Sequence, residues 1–219
     1  MTVVLLAAGR SARFGADKLV ATVGGRSVIS MSLDMFVASP LVDRVVVVAP
    51  MPSAVAAIVA ERHDAPAVTV VPGGATRHLS EKAGLEAVLA QGATELIAFH
   101  DAARPFATND MLAALVGAAR SGGAVPVLPP PEPLYRRDGP LAHPIATQPM
   151  LVQTPQVFPT AVVVAAFCDA GAIDDIDTSQ TVARTGAAIA VVPGDERNLK
   201  ITHTDDLARS EEIVKEWVP

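Results

Sequence analysis

The sequence predicts an α/β chain built on a Rossmann-like, doubly wound, mostly parallel sheet with a projecting Pro-rich arm. Three observations carry that expectation. Six short runs of Val, Leu, Ile and Ala recur along the 219 residues. Each is continuous rather than alternating, the mark of a strand buried on both faces. Stretches of helical periodicity lie between them, and strand–helix alternation at this spacing argues an open parallel sheet. The rhythm breaks once, after residue 128.

Taken in order, residues 3–7 form the first run, which ends at Gly9, and residues 28–37 the first helix. A strand at 45–49 is followed by a helix at 53–62, a strand at 68–71 by a helix at 79–89, and a strand at 96–99 by a helix at 110–119. Residues 124–128 are the next strand, 161–170 a helix, 188–192 the last strand and 205–217 the closing helix. Ligands of such sheets bind beyond the carboxyl ends of the strands, so the loops there are where chemistry is expected.

The chain reads as a single domain over 1–219, with residues 129–152 as the excursion. Pro129, Pro130, Pro131, Pro133, Pro140, Pro144 and Pro149 crowd this segment. Neither a helix nor a central strand accommodates them. Composition leaves two readings open, a surface loop or an arm that packs on a partner subunit.

Half the residues are hydrophobic and the net charge is -6. No basic stripe marks a nucleic-acid surface. Cys168 is the only cysteine, which excludes an internal disulfide and suits a reducing compartment. The N-terminus does not read as a signal peptide. No apolar run reaches the ~20 residues of a membrane helix. The expectation is a cytoplasmic chain with neither nucleic acid nor membrane as partner.

The first strand runs into Ala7-Ala8-Gly9-Arg10-Ser11-Ala12-Arg13-Phe14-Gly15, then Asp17-Lys18. Small residues let the backbone approach a phosphate, and Arg10, Arg13 and Lys18 add charge at the same mouth. Neither the P-loop nor the dinucleotide glycine pattern is present. The bland alternative is a tight turn with solvated arginines; two Arg and a Lys after a first strand favour anion binding. Asp101 ends the fourth strand, where a Mg²⁺ bridging phosphates would sit, or where a cap or an ion pair with Arg104 would serve equally. His100 is expected as a structural neighbour rather than a ligand. Residues 73–80, Gly73-Gly74-Ala75-Thr76-Arg77-His78-Leu79-Ser80, could wrap a base through backbone groups and the Ser80 hydroxyl, or simply cap a helix. Lys200 sits at a loop–strand junction, where a lone lysine is ordinarily just solvated.

Together these segments resemble one family. Ala7-Ala8-Gly9 with Arg13 and Lys18, Gly73-Gly74 with Arg77 and Ser80, His100-Asp101-Ala102-Ala103-Arg104-Pro105, Gln153-Thr154-Pro155-Gln156-Val157-Phe158 and Asn198-Leu199-Lys200-Ile201-Thr202 occur in the order found in the 2-C-methyl-D-erythritol 4-phosphate cytidylyltransferases. The resemblance covers nearly the whole chain. It implies a Rossmann-like domain, a homodimer made through the arm, and attack of a sugar-alcohol phosphate on the α-phosphorus of CTP with loss of pyrophosphate. It assigns catalysis to Arg13, Lys18 and Lys200, and nucleotide binding to Ala7, Ala8, Gly9, Arg10, Gly73, Gly74 and Ser80. Arg104 and Asp177 fall at the substrate end, and Asp101 is the ligand of a Mg²⁺ cofactor.

The chain departs from the family pattern on the acceptor side. Pro129 and Pro130 stand where an Asp-Thr pair is usual, Ala146 where the arm carries an Arg, and Ile176-Asp177 where a Thr-Asp pair is usual. Arg136 and Arg137 are candidate substitutes within the arm. The phosphate loop, with Asp17-Lys18-Leu19 in place of Pro-Lys-Gln, is closer to the nucleotidyltransferases of molybdenum cofactor maturation. Nucleotide-facing residues are kept and acceptor-facing ones changed. Two alternatives to methylerythritol phosphate cytidylyl transfer therefore stay open: transfer to another phosphorylated acceptor, and a non-catalytic nucleotide-binding paralogue.

Overall fold

The structure, a computed structural model, describes residues 1–9, 14–15, 17–61, 68–120, 122–145, 147–169 and 177–216. The chain opens with β1 (Thr2–Leu6), the small hairpin β2 (Thr22–Val23) and β3 (Arg26–Ser27), then α1 (Val28–Val37). It continues through β4 (Arg44–Ala49), α2 (Ala54–Ala60), β5 (Val68–Pro72), α3 (Arg77–Ala90), β6 (Leu96–Asp101) and α4 (Asn109–Ala118). The second half comprises β7 (Ala124–Leu128), β8 (Tyr135–Asp138), β9 (Leu141–Pro144), β10 (Leu151–Val152) and β11 (Gln156–Pro159). It ends with α5 (Thr160–Asp169), α6 (Thr178–Ala183), β12 (Ala190–Pro193) and α7 (Asp205–Glu216).

The central sheet runs β10-β7-β11-β6-β1-β4-β5, with β12 off this path and paired to β7. β1 pairs parallel with β4 and β6, β4 with β5, and β7 with β12. Only β10 and β11 among the described strands of this sheet run antiparallel to their neighbours. Both faces are covered. Val3, Leu5, Val45 and Val47 point into one apolar cluster with Ile29, Leu33 and Phe36 of α1. Val4, Val46 and Val48 point into the other with Leu85 and Val88 of α3 and Phe167 of α5. This two-sided burial is why the strands read as unbroken apolar runs. Phe99, fully buried, is one of the largest side chains in the second cluster; truncating such a group to Ala costs about 3–5 kcal/mol.

Chain order places the site. From β1 the chain steps outward to β4 and β5, then returns to β6 on the opposite side of β1. The carboxyl ends of β1 and β6 therefore flank the point where strand order reverses, the crevice in which ligands of open α/β sheets sit. Leu6 and Asp101 are register partners there.

Several elements differ from expectation. β6 continues two residues past Phe99 because its ladder with β1 extends to Asp101. α3 starts at Arg77 because the Thr76 side chain accepts from the Leu79 amide and caps it. β11 is a central strand that the sequence presents only as a motif between prolines, yet Val157 and Phe158 are fully buried. α6 is likewise unannounced by the periodicity. Residues 62, 170 and 217, the expected ends of three helices, lie outside the described residues.

The Pro-rich segment holds a hairpin. β8 and β9 form a two-stranded sheet of their own, joined by a two-residue turn in which Gly139 supplies a φ of 55°. Leu151 and Val152, which the sequence places in the arm, belong instead to the central sheet, opposite Leu128 and Val127. No helix among the described residues is long and apolar enough to cross a membrane.

Candidate nucleotide and phosphate site

A cavity of about 390 Å³ opens at the carboxyl ends of β1 and β6. Its wall carries Ala8, Gly9, Lys18, Gly74, Thr76, Arg77, Ser80, Asp101, Lys200 and Thr202. That volume suits a small organic ligand.

The floor is shaped by glycines. A Cβ on Gly73 would lie 2.3 Å from the Ala8 Cβ, and one on Gly74 would lie 2.4 Å from the Leu79 Cβ. At Gly73 the turn lies against the loop after β1, and at Gly74 against the first turn of α3, so closely that only hydrogen fits. The Gly74 amide donates to the Ser80 Oγ at 3.1 Å, and that hydroxyl donates to the Thr76 carbonyl at 2.9 Å. Ser80 thus folds the loop onto the start of α3. Gly9, by contrast, has open space where a Cβ would point.

The side wall is a chain of charges. Lys200 Nζ lies 2.6 Å from Asp101 Oδ2, and Arg77 Nη1 is paired with Asp101 Oδ1. Arg77 Nε donates to Glu81 Oε1 at 3.0 Å, and the Thr178 hydroxyl donates to the same oxygen at 2.9 Å. Burial by itself would raise the Asp101 carboxyl. The Arg77 and Lys200 cations overcome it and hold Asp101 well below the usual carboxylate range. Glu81 is the reverse case: burial dominates and pushes it up to about 7, with Arg77 and Thr178 pulling the other way. Lys18 Nζ donates to the Ile201 carbonyl at 2.7 Å, which brings it to the Lys200 side of the mouth.

The Gln-Thr-Pro-Gln segment builds the opposite bank. Gln153 donates to the Asp195 carbonyl at 2.8 Å and accepts from the Asp195 amide at 3.1 Å. Asn198 Nδ2 donates to the Thr154 carbonyl at 2.9 Å. These bonds tie the loop that carries Lys200 to β10 and β11. Beneath Asp101, His100 Nε2 donates to the Arg104 carbonyl at 3.0 Å, so Nδ1 accepts from the Thr154 hydroxyl at 3.1 Å. The same hydroxyl oxygen accepts from the Asp101 amide. Burial depresses His100 to about 4, which keeps it neutral.

The structure thus gathers Ala8, Gly9, Gly74, Ser80, Lys18, Asp101 and Lys200 around one cavity, with Ala7 and Gly73 packed beside it. Arg104 is turned to the Asn198 carbonyl at 2.7 Å and is not among the lining side chains. Asp177 caps α6, accepting from the Gln180 amide at 3.1 Å. Arg10, Arg13 and Ala146 lie outside the described residues. The sequence reading gave Arg77 no role and passed over Glu81 and Thr178. Arg77 was visible in the glycine-loop motif and stands four residues before Glu81 on the same helix; Thr178, the other partner of Glu81, is 97 residues away and has no local signal.

Such a sheet, with glycine-floored loops and two lysines at its switch point, defines an α/β protein of the doubly wound class with a polar cleft where that class binds its ligands. The profile of the 2-C-methyl-D-erythritol 4-phosphate cytidylyltransferase (IspD) family matches residues 1–216, and the chain belongs to that family of nucleotidyltransferases. It is 36% identical over 225 residues to the 2-C-methyl-D-erythritol 4-phosphate cytidylyltransferase of Geobacter metallireducens, covering 97% of both chains. It is 37% identical over 223 residues to the bifunctional enzyme IspD/IspF of Desulforudis audaxviator, covering 96% of this chain and 56% of that one. The chain thus spans little more than half the length of its bifunctional relatives. Among solved structures, the 2-C-methyl-D-erythritol 4-phosphate cytidylyltransferase of Thermus thermophilus superposes with a TM-score of 0.77 at 33% identity, covering 97% and 98% of the two chains. The Anaerococcus prevotii 4-diphosphocytidyl-2C-methyl-D-erythritol synthase reaches 0.86 at 23% identity, covering 98% and 95%, a likeness of fold.

Proposed function

We propose that the chain transfers CMP from CTP to 2-C-methyl-D-erythritol 4-phosphate and releases pyrophosphate. The observation that carries this is the convergence of Lys18, Lys200 and the Asp101–Arg77 pair on one cavity with a glycine floor. The backbone around Gly74 and Ser80 receives the cytosine, and Ala7, Ala8 and Gly9 line the nucleotide. Lys18, joined by Arg13 and Arg10, holds the triphosphate, and Lys200 steadies the α-phosphate. The acceptor phosphate attacks the α-phosphorus, the bond to the β-phosphate oxygen breaks, and pyrophosphate leaves without a covalent enzyme intermediate. Charge fixed before the reaction is typically worth about 3–4 kcal/mol per group removed. Arg104 and Asp177 belong to the acceptor end.

Mg²⁺ is part of the proposal. Asp101 is the one carboxylate among the described residues that line the cavity, and no cluster of three metal-ligating acids, histidines or cysteines occurs among the described residues. That donor set fits an ion carried in by the nucleotide, held by Asp101 and phosphate oxygens. When bound, it would offset charge on the leaving pyrophosphate.

The homodimer is likewise proposed. Leu134, Tyr135, Leu141, Ile145 and Met150 are exposed large apolar side chains in and around the β8–β9 hairpin. A second copy would cover them, and a sedimentation run showing only monomer at high concentration would remove that part of the reading. A different phosphorylated acceptor is the second reading, favoured by Pro129, Pro130 and Ala146 at acceptor-facing positions. Titrating CTP-dependent pyrophosphate release against methylerythritol phosphate and other polyol phosphates separates the two.

A further inference from the structure

Glu81 is a fully buried acid outside the cavity lining, and the reaction above gives it no task. Its Oε1 accepts from Arg77 Nε at 3.0 Å and from the Thr178 hydroxyl at 2.9 Å, while Oε2 is without a hydrogen-bond partner. Burying a carboxyl with one oxygen unmatched is costly, and an apolar side chain of similar size would be cheaper there. The neighbourhood is suited to one: Leu85 and Val88 of the same helix pack into the second apolar cluster. Some interaction must therefore compensate, and the Arg77 Nε–H with the Thr178 hydroxyl supplies it in part.

The geometry points to Glu81 as a positioning residue that pins the Arg77 guanidinium from behind, aims its Nη1 at Asp101, and so keeps the Asp101–Lys200 pair in place at the reacting phosphate. The inference rests on the phosphoryl-transfer reading of this cavity. Arg77 has a long, flexible stem and leaves 24% of its side chain exposed. Unpinned, it is free to swing into the cavity or out to solvent, leaving Asp101 to its ion pair with Lys200 and the more distant charge of Arg104. Glu81 has no such freedom. It sits on a helix pressed against β1, where a Cβ on Gly84 would meet Val4 Cγ1 at 2.4 Å. Thr178 of α6 braces it from a second element, next to Asp177, whose charge also acts on Arg77. A planar guanidinium held through two different edges is a fixed direction rather than a mobile charge.

Three variants test this. Glu81→Met fills the space without an acceptor, Glu81→Gln keeps the Oε1 acceptor, and Thr178→Val removes only the brace. The first readout does not depend on activity: the ¹⁵N-resolved Nε–H signal of Arg77, identified by its loss in Arg77→Lys. It is expected to be protected from solvent exchange in wild type and Glu81→Gln, and to exchange at least ten-fold faster in Glu81→Met. The second is kinetic. Glu81→Met is expected to lower kcat at least ten-fold with KM for CTP within three-fold of wild type, and Glu81→Gln to recover kcat to within three-fold. Should Glu81→Met not fold, Thr178→Val carries the comparison, with Arg77 exchange expected to rise several-fold. Unchanged Arg77 exchange in the folded variant overturns the inference. A wild-type chain inactive with CTP removes the reaction reading alone and leaves the exchange experiment to decide the role of Glu81.

Discussion

The cleft at β1–β6 and the β8–β9 hairpin treat their arginines in opposite ways. Arg77 is gripped at two edges by carboxylates, one of them fully buried. Arg136 and Arg137 are exposed, and Arg137 Nε donates to the carbonyl of its own turn, Gly139, at 2.9 Å. The cleft's charges are oriented before any ligand arrives, by bonds that one copy of the chain makes with itself. On the proposed reaction, nucleotide chemistry rests on bonds within the single chain, and acceptor choice rests on the arm, where residues depart from the family pattern.

The sharpest way to break this contrast is at the lysines. Lys18→Ala is expected to lower kcat by about 10²–10³, the loss for one preorganised charge, with a much smaller change in CTP affinity by calorimetry. Equal losses in both would show that Lys18 binds without acting on the reacting phosphate. Next in size is Gly73→Ala, whose new methyl would meet the Ala8 Cβ at 2.3 Å. Overpacking of that kind costs about 1–3 kcal/mol, so the thermal midpoint should drop and CTP affinity fall with it. An unaltered CTP dissociation constant would remove the two-loop floor from the site.

The pH dependence sharpens the cleft half. His100 is depressed from 6.5 to about 4 in the folded chain, so the unfolded chain binds the extra proton between these values. Its contribution to stability is present above pH 6.5 and is lost as pH falls to 4, by about 3 kcal/mol. Glu81 is raised from 4.5 to about 7, so the folded chain binds that proton first and gains stability as pH falls through the same window. The two oppose each other. Wild type should show a nearly flat stability between pH 6.5 and 4.5 in denaturant titrations, while Glu81→Gln should decline steadily over it. A flat profile in Glu81→Gln would mean that His100 is not held neutral. The smallest expected effect is in the hairpin: Arg136→Ala should raise KM for the acceptor roughly three- to ten-fold, as for one ordinary solvent-exposed hydrogen bond, and leave CTP affinity unchanged. A shift in CTP affinity instead would erase the division between the two regions.

Much of the fold was legible because the parallel strands are buried on both faces and announce themselves as apolar runs. β11 was not, since four residues bounded by prolines give no period, and its place between β6 and β7 is decided by pairing at long range. The cavity's backbone and lysines were legible as glycine turns followed by cations. Glu81 was not, because a Glu on a helix looks solvated until tertiary packing covers it. Arg104 and Asp177 were legible as motif positions, but their bonds, Arg104 to the Asn198 carbonyl and Asp177 to the start of α6, depend on folding and were not.

Pyrophosphate release with CTP, Mg²⁺ and methylerythritol phosphate, against no-acceptor and other-nucleotide controls, tests the central reading most directly. Release that requires both CTP and this acceptor is the expected result. No release, while CTP still binds the cavity, would contradict the proposed reaction and assign the nucleotide half of the site to a different phosphate.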